Sequence, residues 1–475
     1  MTERIPKSVL IGGAILTPLF LALLAYSQPG YFTDQTYLGG LVFLEFLIAA
    51  VWLYRQVFFP LVLLAFLFAG TGLAIGGGWT MARWVVLGVG ALVGCIVMLK
   101  DRGHHFGLFH AAALFAALAA LVSAAVSRYP NLAVLKALSV FLLFVYCATG
   151  VRLTVAGREP RFFDGLLAGC EVFVGGLAAC YLTGREVMGN PNSLGAVMGV
   201  VGAPILFWGI MVAEKPWIRY RRSILLVVCM YLVFYSHARA GMAAAAVSCG
   251  LMCLALRKYR LLVQASVLIL MLAAIAAIVN PGVFSSAVSS VTSSIVYKGQ
   301  DPTRGLLASR ESPWQAAVES VRVNFWFGTG FGTTDNGLDA SEHLDQFSTG
   351  QGVTAENGSS YLAIVAWVGM LGMLPFLFLL LVIVGKIVRT LIWMSHTGNP
   401  SHPAIPLAMV MVAGLLHAGF EDWLFAPGYY LCVFFWSLAF VLVDLAPRAP
   451  VPSLSPSAGW PWLMRQSMAG IAPKQ

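Results

Sequence analysis

Charge is what this sequence has least of. Only 10% of its 475 residues are Asp, Glu, Lys or Arg, while 59% are hydrophobic, and the mean hydropathy is +0.83. A soluble domain carries about 25% charged residues. This excludes a water-soluble globule, because no folded core hides so much apolar surface, and lipid becomes the solvent. Length alone suggests roughly three domains of ~150 residues, but a single membrane bundle uses the whole chain. Cysteine offers no framework either. Cys95, Cys147, Cys170, Cys180, Cys229, Cys249, Cys253 and Cys432 all lie within apolar runs, without paired zinc spacing, and read as small buried hydrophobes. Also missing are GxSxG, HExxH and EF-hand signatures. The run Gly328-Thr329-Gly330-Phe331-Gly332 has no Walker lysine, so it is not a nucleotide loop. The net charge of +9 comes from short loops between apolar runs, which reads as membrane topology and not as nucleic-acid binding.

What is present is a series of apolar runs near the ~20 residues a spanning helix needs. Fourteen are expected: 8–27, 38–54, 57–78, 84–99, 107–127, 133–151, 162–183, 194–213, 223–236, 240–256, 261–280, 358–385, 404–420 and 428–446. The short runs 223–236 and 240–256 can count as one broken pair, so the expectation is an all-α integral membrane bundle of about 12–14 helices. The first run is long for a signal peptide and reads as an uncleaved helix. With the N-terminus in the cytoplasm, strict alternation puts 20 of the 29 Lys and Arg residues on the cytoplasmic side. The other nine are Arg83, Arg128, Lys136, Arg185, Arg239, Lys298, Arg304, Arg310 and Arg322. The expected organisation is N-terminal membrane helices over 1–280, an outer loop over 281–357, C-terminal membrane helices over 358–446 and a disordered cytoplasmic tail over 447–475.

The outer loop carries a helix signal. Ser312 reads as an N-cap, Pro313 as the first helical residue and Gln315 as the partner in a capping box. Trp314, Ala317, Val318, Val321 and Phe325 then mark one apolar face, and Gly328, Gly330 and Gly332 turn the chain. Arginines on this side run against the topology rule and need local reasons. Arg239, in Ser236-His237-Ala238-Arg239-Ala240-Gly241, and Arg310, just before the capped helix, could together grip a pyrophosphate through their planar forks. Snorkelling or a structural ion pair is the plainer account of each. Asn190 and Asn192, in Gly189-Asn190-Pro191-Asn192, suit sugar or phosphate binding, or simply turn and cap chemistry. Glu356, beside Asn357 at the mouth of the next span, is a candidate general base, and His343 is a second. His417, Glu421 and Asp422 cluster near the outer end of 404–420, a weak metal constellation, and no metal or other cofactor is expected.

Taken in order, these segments resemble the bacterial O-antigen ligase and polymerase superfamily. The likeness rests on Gly189-Asn190-Pro191-Asn192, on Ser236 to Gly241, and on Ser309-Arg310-Glu311-Ser312-Pro313-Trp314 followed by Asn324 to Gly330. Glu356-Asn357 through Ser360-Tyr361-Leu362, then Gly369 to Gly372, completes it, over roughly 185–385. The resemblance implies a GT-C-like membrane bundle in the bacterial inner membrane, its long loop periplasmic. It implies metal-independent, inverting transfer of a glycan from an undecaprenyl-pyrophosphate carrier to an acceptor glycan or lipid A core. Arg239 and Arg310 would hold the pyrophosphate, Asn190, Asn192, Asn357 and Trp314 would contact substrate, and Glu356 or His343 would take the acceptor proton. Ligases of the family carry His where Glu356 stands, which tilts the expectation towards a polysaccharide polymerase, with a ligase as the alternative. A lipid-linked oligosaccharide flippase is the rival from another class. Membrane lipids are expected partners and nucleic acid is not.

Overall fold

The computed structural model describes residues 58–71, 79–100, 106–293, 308–333 and 358–447, with scattered positions between 23 and 52. The chain is an all-α integral membrane protein. Its described helices are α1 (Phe58–Ala69), α2 (Trp79–Lys100), α3 (Leu108–Ala125), α4 (Pro130–Val155), α5 (Glu159–Leu182), α6 (Pro191–Met211) and α7 (Pro216–Tyr235). They continue with α8 (Arg239–Ala255), α9 (Tyr259–Val279), α10 (Pro281–Val291), α11 (Ala308–Val323), α12 (Ser360–Thr397), α13 (Ala404–Ala418) and α14 (Tyr430–Leu445). Seven of them are long and apolar enough to cross a membrane, and α1, α8, α13 and α14 are shorter apolar helices. Most of the expected spans coincide with these helices, whereas 8–27 and 38–54 fall largely outside the described residues. All eight cysteines are free thiols, five buried and three half-buried.

Helices α13 and α14 form the centre of the bundle, with Leu407, Met409, Met411, Phe435, Leu438 and Phe440 fully buried. The outer helices instead present apolar residues such as Leu114, Phe115, Leu135, Val172 and Leu381 outward. That inversion of the soluble pattern suits lipid contact. Prolines at the starts of α4, α5, α6, α7 and α10 sit where the missing N–H breaks no ladder bond. Single π turns interrupt α4 at Cys147–Val151 and α6 at Met198–Gly202.

Two corrections to the sequence reading concern the loop helix. Helix α11 starts at Ala308, not at Ser312, and Pro313 lies inside it. The reason is positional: Pro313 comes just after the first turn, so only its one bond to the Ser309 carbonyl is forfeited. Gln315 donates to Glu311 at 3.3 Å, an i to i+4 pair, in place of the expected capping box. The buried face also differs. Arg310 and Ala317 are buried and Trp314 and Val321 half-buried, while Val318 and Phe325 are exposed. This stripe packs on α12.

Helix α12 is longer than the expected 358–385 and is broken at Gly369 (φ 68, ψ −178). A break in lipid leaves backbone groups without partners. The glycine segment after α11 supplies them. Thr329 and Gly330 donate to the carbonyls of Ala366 and Trp367 at 2.9 and 3.0 Å, and Met370 donates to Phe325 at 2.9 Å. Both chains need glycine here, since a Cβ on Gly328 would lie 2.4 Å from the Trp367 carbonyl carbon and one on Gly369 2.3 Å from the Trp326 oxygen. Lys136 caps Gly332 at 2.6 Å, and Ser127 meets Thr333 at 3.0 Å. The glycine run is therefore a plug that mends a broken membrane helix.

Candidate functional site

The starts of α6, α8, α12 and α14 meet at one end of the bundle, and α11 lies across it. Close backbone contact between α6 and α8 brings two of the sequence motifs together. A Cβ on Gly195 would stand 2.2 Å from the Ala238 Cβ, one on Gly199 2.2 Å from the Gly241 oxygen, and one on Gly241 2.4 Å from the Gly195 oxygen. Small residues four apart are what membrane helices use for such approach. The Asn190 turn is thereby set against the turn that carries Arg239. That second turn is held tight by His237 at φ 53 and by Ser236, whose hydroxyl donates to Val233 at 2.7 Å and accepts the Ala238 N–H at 3.3 Å.

Arg310 occupies the middle of the assembly. Its place on α11, in line with Trp314, Ala317 and Val321, presses it onto the bundle, where it is only 9% exposed. It forms an ion pair with Glu421, in the loop between α13 and α14. Its charge also acts on Arg239 and on His417. Two guanidiniums from separate segments thus share one locale, with the Glu421 carboxylate paired to one of them. Glu421 in turn is fixed by its backbone: its carbonyl accepts the Ser360 N–H at 3.0 Å and the Ser360 hydroxyl at 2.6 Å. The same hydroxyl accepts the Leu424 N–H at 3.0 Å. Trp314 donates its indole N–H to the Gly358 carbonyl at 3.1 Å, tying α11 to the start of α12.

The aromatic pair at the start of α14 completes the surroundings. The Tyr429 and Tyr430 hydroxyls lie 3.1 Å apart, with Ser193 beside both, and the charge of Glu421 reaches Tyr429. Arg83 steadies this corner by donating to the Gly428 carbonyl at 2.8 Å. Asn190 serves as the N-cap of α6, its side-chain oxygen accepting the Asn192 N–H at 2.8 Å.

The structure therefore unites Arg239, Arg310, Trp314, Asn190 and Asn192 at one end of the bundle. Glu356, Asn357 and His343 lie outside the described residues. In the His417, Glu421 and Asp422 cluster, two members have other partners. Trp423 donates to the His417 ring at 2.8 Å and Glu421 is committed to Arg310. Among the described residues no group of three His, Cys, Asp or Glu side chains is arranged to hold a metal. Ser193, Tyr429 and Tyr430 are not among the expected site residues, and Ser360 stands there only as part of the resemblance. The tyrosine pair after Pro427-Gly428 was the one available signal.

Fold and site define a polytopic membrane protein with paired arginines gathered at one end of its bundle. Residues 224–377, which include Arg239, Arg310 and the break in α12 at Gly369, match the family model described as O-antigen ligase. The match spans about a third of the chain, and glycan transfer of the O-antigen ligase and polymerase type is the activity class it supports. No curated protein matches the chain.

Proposed function

We propose that this protein transfers a glycan from an undecaprenyl-pyrophosphate carrier to an acceptor sugar hydroxyl at the periplasmic face of the inner membrane. The observation that carries the reading is that the charge of Arg310 acts on Arg239, two guanidiniums from different segments at one end of the bundle. A pyrophosphate leaves readily once its charge is neutralised, and preorganised guanidiniums do this without a metal. The acceptor hydroxyl attacks the anomeric carbon, the bond to the carrier phosphate breaks with inversion, and its electrons stay on the pyrophosphate. Glu356, next to Asn357 at the start of the α12 segment, takes the acceptor proton, with His343 the other candidate. The Asn190–Asn192 turn, Trp314 and the tyrosine pair line the approach for sugar. Polymerisation of repeat units is favoured over ligation to lipid A core because Glu356 stands where ligases of the family carry His.

The test is genetic. In a strain lacking the gene, Arg310→Ala and Arg239→Ala complements should show no long-chain surface polysaccharide on a gel, while the protein remains in the membrane. Single lipid-linked repeats should accumulate in a polymerase, and full-length chains on the carrier in a ligase. Normal polysaccharide in both complements refutes the assignment.

A further inference from the structure

A separate cavity of about 780 Å³ lies between α1, α5, α6 and α14. It falls within the ~300–1,000 Å³ range of small-molecule sites. Its walls are almost wholly apolar, with Leu64, Phe173, Val201 and Phe434 among them, and exposed Leu64 and Val172 mark its outer rim. One wall is cut back to small residues. Gly165 and Gly169 of α5 line it, and a Cβ on either would meet nothing within 4 Å. At one end stand Arg158, just before α5, and Arg161 in its first turn, both exposed. The nearby carboxylate of Glu159 is turned back to its own loop, accepting the Gly157 N–H at 3.1 Å. Tyr430 closes the other end. From Arg158 to Phe173 the wall runs ~22 Å at ~1.5 Å per residue, longer than the hydrocarbon of one leaflet, half of about 30 Å.

We propose that this groove binds an anionic phospholipid of the bilayer, its phosphate headgroup at Arg158 and Arg161 and an acyl chain lying over Gly165 and Gly169 towards Tyr430. The charge sits at the wrong end for the glycan donor. Arg239 and Arg310 gather at the start of α8 and α11, whereas Arg158 and Arg161 open α5 at the opposite end of the bundle. A hydrocarbon tail hanging from the first pair has no use for the second. A lipid headgroup of the opposite leaflet does, and basic side chains near that surface favour anionic lipids.

The test uses the full-length protein, delipidated in neutral detergent and mixed with equal amounts of phosphatidylglycerol and phosphatidylcholine of identical acyl composition. Native mass spectrometry counts the lipid retained. Phosphatidylglycerol should be preferred by about tenfold or more, and the preference should fall to parity in an Arg158→Gln, Arg161→Gln double variant. Both positions are exposed, so that variant keeps its fold, checked by its helical signal and elution. Gly169→Phe should fill the groove and lower retention of both lipids. Equal retention by the native protein, or a preference that survives the arginine changes, overturns the proposal. Displacement of phosphatidylglycerol by equimolar polyprenyl phosphate overturns it too, by giving the groove to the donor's tail.

Discussion

Arg310 and Glu421 sit 111 positions apart in sequence yet form the ion pair at the centre of the site. Breaking a buried pair by removing one partner costs about 3–5 kcal/mol, because the other charge is left uncompensated. Glu421 is partly exposed, so the lower part of that range applies. Glu421→Ala should therefore lower the thermal midpoint in detergent and cut turnover. Glu421→Gln, which can still accept from Arg310, should retain more of both. Equal behaviour of the two variants would contradict a role in holding Arg310. The arginines themselves were legible in the sequence because they violate the charge rule for their side of the membrane. Their partner was not, since only the fold brings the α13–α14 loop to α11. A second residue-scale expectation concerns His402, between α12 and α13. Burial against Trp393 pushes its pKa down to about 4, and its ring accepts the Ala404 N–H at 3.1 Å. The folded protein binds this proton less readily than the unfolded chain. The neutral ring's contribution is thus complete above pH 6.5 and is lost as pH falls towards 4, by no more than about 3 kcal/mol. Melting curves across that window should flatten in His402→Asn.

Among the elements, α11 and α12 depart furthest from what the sequence leads one to expect. The start of α11 differs from the expected one because Ser-Pro is a strong beginning signal, and a proline one turn inside costs little. The break in α12 could not be read locally, because Gly369 lies in an unbroken apolar run. It becomes explicable only with the glycine plug that supplies its missing hydrogen bonds. Gly369 occupies a backbone region that is essentially glycine-only, where another residue costs about 1–3 kcal/mol before any clash. Gly369→Ala should thus lower the thermal midpoint sharply, whereas Gly385→Ala, with nothing within 4 Å of its Cβ, should not. Similar midpoints for the two would show that plug and break are not interlocked as described.

At the scale of the whole molecule, hydropathy and charge carried most of the information. Arg83, Lys136 and Arg310, assigned to one side by alternation alone, converge on the α11 end of the bundle through named contacts, and Arg239 lies within reach of the charge of Arg310. Helix packing by Gly195, Gly199 and Gly241 was invisible, because small residues in an apolar run give no sign of which neighbour they approach. The central claim is that Arg310 neutralises a lipid pyrophosphate during glycan transfer. It is tested most directly by reconstituting the purified protein in vesicles with a polyprenyl-pyrophosphate-linked glycan and an acceptor saccharide, then measuring product and free carrier together. The native protein should release both in equal amounts, and Arg310→Ala should lose roughly 10²–10³-fold in rate, while Arg322→Ala, at an exposed position of the same helix, stays near the native rate. Undiminished transfer by Arg310→Ala, or product formed without release of carrier, would contradict the account.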